Sequence, residues 1–211
     1  MKSVIWDWNG TLLDDLDHCI ASINVLLEKR HLPTLNTTQY KAVFSFPVKD
    51  YYEAIGFDFS REDFAIPAQE FIDLYNGNVE KCTLHHEAAA VLEHLKKKGI
   101  KQFVLSAMQE DMLERTLKHQ GIYNYFDAIA GLDHHYATSK IERGEQLIHH
   151  AGISKENAVM IGDTIHDFEV AQKLGIECIL IADGHQSAER LKSTGTRVID
   201  SLGDLLKNGW I

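Results

Sequence analysis

The sequence is poor in several things that would announce a function. It has three cysteines, Cys19, Cys82 and Cys178, odd in number, far apart and without a CxxC pair. That excludes a zinc knuckle and gives no sign of a disulfide framework. No apolar run approaches the ~18 residues of a membrane span, and the opening residues pass straight from a short apolar stretch into charge, without a secretory h-region. The expectation is a cytoplasmic protein with no membrane partner. Positive charge is also scarce: 21 Lys and Arg against 31 Asp and Glu leave a formal net charge of -10. Such a balance argues against nucleic acid held by its phosphates. It also means that an anionic substrate would need a metal cation or locally placed Lys or Arg. Neither a Walker loop nor a GxGxxG occurs, which leaves nucleotide binding by those devices unsupported.

What is present is the composition of an ordinary globular protein, 45% hydrophobic and 25% charged. The run Ser3 to Trp6 reads as a short strand ending at Asp7 and Gly10. From Asp15 the pattern changes, with Leu16, Ile20, Ile23 and Leu27 lying on one face of a helix. Helical or mixed patterns continue to about Cys82, with no convincing strand. Beyond Thr83 helices and strands alternate, and Gly99, Gly121, Gly152 and Gly175 stop helices in turn. This alternation predicts an α/β core with a doubly wound parallel sheet, made from residues 1–14 and 84–211. Residues 15–83 read as an inserted helical cap.

In open α/β sheets, ligands sit at the carboxyl ends of the strands. That rule selects Asp7-Trp8-Asn9-Gly10-Thr11, Ser106-Ala107, Lys140 just before a helix, and Gly162-Asp163-Thr164-Ile165-His166-Asp167. The set suits phosphoryl transfer. A carboxylate attacks phosphorus, a hard cation held by carboxylates neutralises charge, and a hydroxyl and an ammonium bind the remaining oxygens. Asp7 is the candidate nucleophile, with Asp163 and Asp167 as magnesium ligands. Ser106 and Lys140 are candidates to grip the phosphoryl group, with Gly10 and Ala107 beside it.

The order Asp-x-x-Gly-Thr, Ser after an apolar strand, Lys, and Gly-Asp-Thr-x-x-Asp resembles the four motifs of the haloacid dehalogenase-like superfamily. The inserted helices resemble its C1-type cap, and the spacing resembles the phosphoglycolate phosphatase-like branch. The resemblance implies a Mg2+-dependent phosphohydrolase with a phosphoaspartate on Asp7, acting on a small phosphorylated metabolite as a monomer or homodimer. It implies metal ligation by Asp7, the backbone carbonyl of Asn9, Asp163 and Asp167, and a supporting role for Thr11 in the nucleophile loop.

One position departs from the pattern. Phosphatases of this family generally carry Asp, not Asn, two residues after the nucleophile, where it protonates the leaving oxygen and then activates water. The amide of Asn9 can do neither, and a positioned general acid is worth ~10² to 10⁴ in rate. Three readings follow: substrates with good leaving groups, a substitute acid such as His166 or a cap residue, or a catalytically weak phosphoryl-binding or regulatory protein. Relatives that cleave phosphorus–carbon bonds also lack this Asp and use a cap lysine, for which Lys41 and Lys49 are the candidates.

Blander readings stand beside these. Asp7 before Asn-Gly could be turn chemistry, and Asp163 and Asp167 could be helix N-terminal acids. The pairs His85-His86, His134-His135 and His149-His150 are expected at the surface, because adjacent residues do not face one site together. His185, after a strand end, could line the mouth of the site. Tyr52, Phe57, Phe64, Phe71 and Tyr75 are expected to form the cap core. Phe44-Ser45-Phe46-Pro47 and Tyr51-Tyr52 could face the substrate.

Overall fold

A computed structural model describes residues 2–133 and 139–207. The pair His134-His135 therefore lies outside the described residues.

Strand β1 (Ser3–Trp6) lies at the middle of a six-stranded sheet. The other strands are β4 (Lys101–Gln109), β5 (Ala128–Leu132), β6 (Ala158–Gly162), β7 (Glu177–Ile181) and β8 (Arg197–Ile199). Their order is β5-β4-β1-β6-β7-β8, and every pairing is parallel. A parallel sheet needs cover on both faces, and the sequence of β1 is built for it. Its side chains alternate: Val4 and Trp6 enter one hydrophobic cluster and Ile5 the other, all fully buried. The first cluster includes residues of α5 (Ala88–Lys97) and α6 (Glu110–His119); the second includes residues of α7 (Lys140–Ala151) and α8 (Ile165–Leu174). Strand β4 runs four residues past the expected Leu105, with a register irregularity between Leu105 and Gln109.

Four helices stand between β1 and the rest of the sheet: α1 (Leu16–Lys29), α2 (Thr37–Val43), α3 (Val48–Ala54) and α4 (Ala65–Asn78). Helices α1 and α4 pack together, and Leu16, Ile20, Ile23 and Leu27 form the buried face that their spacing foretells. This stretch is entered and left through a two-stranded antiparallel ribbon, β2 (Leu13–Asp14) with β3 (Thr83–Leu84). Strands of two residues have no periodicity to detect, so the ribbon leaves no mark in the sequence pattern. The short helices α9 (Ala188–Lys192) and α10 (Asp204–Lys207) complete the described chain. No helix among the described residues is long and apolar enough to cross a membrane.

Candidate active site

The backbone N–H of Asp7 donates to the carbonyl of Ile161 at 2.8 Å, which fixes the first residue beyond β1 against its neighbour β6. The chain then turns at Gly10, whose φ is +74°. A Cβ there would come within 2.4 Å of both Asp163 and His185, so the site closes around a position that only glycine can fill. Helix α8 begins at an N-cap, Thr164, whose capping box uses Asp167 as the reciprocal partner. Asp167 is thereby fixed by the backbone N–H groups of Asp163 and Thr164 and by the Thr164 hydroxyl. Helix α7 is capped by Ser139, which places Lys140 at its first position.

These elements bring together two groups of side chains. In the first, the Lys140 ammonium donates to Asp7 at 2.5 Å and to Asp167 at 2.7 Å. The Thr11 hydroxyl donates to Asp163 at 2.9 Å. Carboxylate oxygens of Asp7, Asp163 and Asp167 lie within 4.8 Å of one another, all buried. Burial drives the Asp7 carboxyl well above its ordinary value; Lys140 opposes this, while Asp167 and Asp163 add to it. Burial also raises Asp163, against the pull of His185. At Asp167 burial pushes upward, but Lys140 and the Thr164 hydrogen bond outweigh it and the carboxyl is held low. Lys140, which burial alone would lower, is raised by Asp167 and Asp7.

The second group surrounds Asn9. Its amide donates to the Asp15 carboxylate at 3.0 Å and to the Tyr75 hydroxyl at 2.6 Å, while the Tyr75 hydroxyl donates to Asp15 at 2.6 Å. The other Asp15 oxygen accepts from the Gly10 backbone at 2.8 Å and pairs with His185 Nε2 at 3.1 Å. His185 Nδ1 meets the Tyr40 hydroxyl at 3.1 Å, and the His185 backbone N–H donates to Asp163. Burial disfavours charge on both ring and carboxylate, yet each offsets it for the other: Asp15 is held at about 2 and His185 is raised to about 9. They form a buried ion pair.

Asp7, Thr11, Lys140, Asp163 and Asp167 thus converge as the motif order suggested. Two expected phosphate-binding groups have partners within the protein. The Gly10 N–H donates to Asp15 at 2.8 Å and to the Leu13 carbonyl at 2.9 Å. The Ser106 hydroxyl accepts from the Met108 backbone and lies 3.4 Å from the Asn9 amide oxygen, fully buried; Ala107 beside it borders the cavity described below. His85 is a correction. It is buried, not at the surface, and its Nε2 meets the Gly10 carbonyl at 3.0 Å; adjacent His86 is exposed, so the pair splits between site and solvent.

Asp15, Tyr40 and Tyr75 are site residues that motif reading did not find. Their signal was faint: an acid just beyond the nucleophile motif, and two aromatics within an aromatic-rich insertion. The buried indole N–H of Trp8 has no partner among the described residues, and nothing in the structure explains it.

Above both groups lies a cavity of about 460 Å³, reaching from Asp7, Asn9 and Lys140 to the aromatic side chains of α2–α4. Neither Lys41 nor Lys49 borders it; the Lys49 ammonium sits over the Phe59 ring. His166 does border it, stacked on Phe46 with ring centres 4.6 Å apart.

A parallel sheet with a buried carboxylate just past the end of β1, and two more in the loop and helix that follow its neighbour β6, is the arrangement of a hydrolase class. The chain belongs to it: residues 4–181 match the haloacid dehalogenase-like hydrolase family. Over 202 residues it is 27% identical to the tyrosine-protein kinase PtkA of Mycobacterium tuberculosis, covering 93% of this chain and 67% of that protein. It is 23% identical over 205 residues to a phosphoglycolate phosphatase of Caulobacter vibrioides, covering 93% and 85% of the two chains. The fold matches a haloacid dehalogenase-like family hydrolase from Streptococcus pneumoniae with a TM-score of 0.84 at 18% identity, over 98% of this chain and 97% of that one.

Proposed function

We propose that this hydrolase cleaves a phosphate monoester through a phosphoaspartate on Asp7, with Mg2+ bound by Asp7, Asp163 and Asp167. The observation that carries this reading is the charge imbalance of the first group. Three buried carboxylates lie together, one ammonium bridges only Asp7 and Asp167, and Asp7 and Asp163 are pushed toward protonation. A divalent ion among hard oxygen ligands would restore the balance, so the residues fit the metal. When bound, the ion supplies electrostatic stabilisation of the transferring phosphoryl group. The backbone carbonyl of Asn9 is a further ligand in this reading.

The protein's own groups divide the remaining work. Lys140 favours the ionised form of Asp7 and holds it in place, and its ammonium is positioned to bind phosphoryl oxygens. Asp7 attacks phosphorus as the bond to the leaving oxygen breaks. Water then attacks the phosphoaspartate, the bond to Asp7 breaks, and inorganic phosphate departs with the protons of the water. Thr11 orients Asp163, and Ser106 and Ala107 border the phosphoryl position. Residues 15–83 act as a cap over residues 1–14 and 84–211, and the substrate is a small phosphorylated metabolite. The phosphoglycolate phosphatase among the relatives supports phosphoester chemistry.

A second reading rests on Asn9, whose amide is committed to Asp15 and Tyr75 and offers no proton. In that reading the protein binds phosphoryl groups with little turnover, in a regulatory role. Phosphate release from a panel of phosphoesters and acyl phosphates, with and without Mg2+, separates the two. Mg2+-dependent turnover lost in Asp7→Ala supports the hydrolase. No release from any compound by folded protein supports the binder.

A further inference from the structure

Two independent features of this site restrict the leaving group. The first is the side of the cavity facing Asp7. Phe44, Phe46, Tyr51, Phe64 and Phe71 border it, and Phe44 packs edge-on to Phe46 and Tyr51. Such a wall takes a flat apolar body, through offset or edge-to-face ring contacts. A small polar acid such as glycolate would leave it unfilled.

The second feature is the side chain of Asn9. It stands at the motif position where phosphatases of this family carry the acid that protonates the leaving oxygen, but it is an amide, and both of its N–H bonds go to Asp15 and Tyr75. Residue 9 therefore gives the leaving oxygen no proton, which favours an oxygen that can depart as an anion. An aliphatic alkoxide is about as basic as hydroxide, whereas a phenolate is far less basic, with a conjugate-acid pKa of ~10. The cavity asks for an aromatic body and the amide asks for a stabilised oxyanion. An aryl oxygen satisfies both.

We propose that the substrate is an aryl phosphate: a phosphate monoester of a phenolic hydroxyl, with the ring among the cap aromatics. This rests on the phosphohydrolase reading above. In the step, Asp7 Oδ forms the bond to phosphorus, the phosphorus–oxygen bond to the ring breaks, and the aryl oxide leaves with the electron pair. It takes its proton from solvent after release.

The test is a leaving-group series assayed with the full chain and Mg2+: 1-naphthyl phosphate, phenyl phosphate and tyrosine phosphate against glycerol 3-phosphate, phosphoglycolate and acetyl phosphate. The expected result is kcat/KM at least about 100-fold higher for the aryl esters than for the alkyl esters, the factor a positioned acid would otherwise supply. Phe71→Ala should then lower kcat/KM for 1-naphthyl phosphate more than for acetyl phosphate, with Phe71→Leu as the variant that keeps the fold filled. Alkyl esters turned over as fast as aryl esters would overturn the proposal and leave the phosphohydrolase standing. Acetyl phosphate cleaved readily with the aryl esters inert would overturn it too, by removing the cavity from the argument. No phosphate from any compound would sink the phosphohydrolase reading itself.

Discussion

The two polar clusters at the end of β1 touch one another, yet they differ in electrostatic completeness. Around Asp15 every charge has its counterpart. The carboxylate accepts from Asn9, Tyr75 and the Gly10 backbone, pairs with His185, and lies at about 2 while its partner lies at about 9. Around Asp7 the account does not close: burial raises Asp7 and Asp163, and neither Lys140 at Asp7 nor His185 at Asp163 fully offsets it. A completed cluster behaves as architecture, and an incomplete one as a place where something binds. The difference teaches how Asn9 should be read. It belongs to the completed cluster, as a donor to Asp15, and its amide is required there whatever it costs in proton transfer.

The comparison breaks hardest at Asp15. Asp15→Ala should destabilise the protein by ~3–5 kcal/mol, the usual result of removing one partner from a buried pair. Chemical denaturation of variant and wild type measures it, and a change below about 1 kcal/mol would contradict the structural role. Next in size is Asn9→Asp, the change that restores the family's usual acid. It would set two carboxylates about 3 Å apart at the distance now spanned by an amide hydrogen bond, so one must hold a proton near neutral pH. The expected loss is ~1–3 kcal/mol, of the order of an unsatisfied buried polar group. The double variant Asn9→Asp with Asp15→Asn should recover most of it and raise turnover of alkyl phosphates by ~10². Full stability in the single variant would show that Asp15 does not constrain position 9.

The smallest effect is a pH dependence. His185 binds its proton more tightly in the folded chain, so its contribution to stability is complete below about pH 6.5 and is lost as the pH rises toward about 9. Asp15 acts in the opposite direction, contributing above about pH 4 and losing that contribution as the pH falls toward about 2. The raised carboxyls of Asp7 and Asp163 also cost stability as pH rises, so the measurement needs saturating Mg2+ to hold them ionised. Under that condition the Tm of wild type should fall between pH 6.5 and 9 more than that of His185→Gln. Parallel curves would remove the ion pair from the account.

Much of this arrangement was legible in the residues. Asp7, Asp163 and Asp167 stand beside strand ends with glycines nearby, and Lys140 follows a capping serine, so short-range pattern located them. The alternation of helix and strand after Thr83 likewise named the α/β core. The Asp15 cluster was not legible in the same way. Its members lie 60 and 170 positions apart, and no local period links an aspartate in a loop to a tyrosine on α4 and a histidine after β7. His85 was hidden by a rule that holds for pairs on one regular element. It follows β3 in irregular backbone, where adjacent side chains can take unrelated directions. The expected cap core was half of the answer: Tyr52, Phe64, Phe71 and Tyr75 pack together and also border the cavity, and periodicity cannot distinguish the two roles.

The most direct test is rapid-mixing kinetics with p-nitrophenyl phosphate and Mg2+. With Asp7 as nucleophile and no base at Asn9 to activate water, phosphorylation outruns dephosphorylation. The account predicts a burst approaching one p-nitrophenolate per chain, then slow turnover, with both lost in Asp7→Asn. Mg2+-dependent turnover surviving in Asp7→Asn would contradict it.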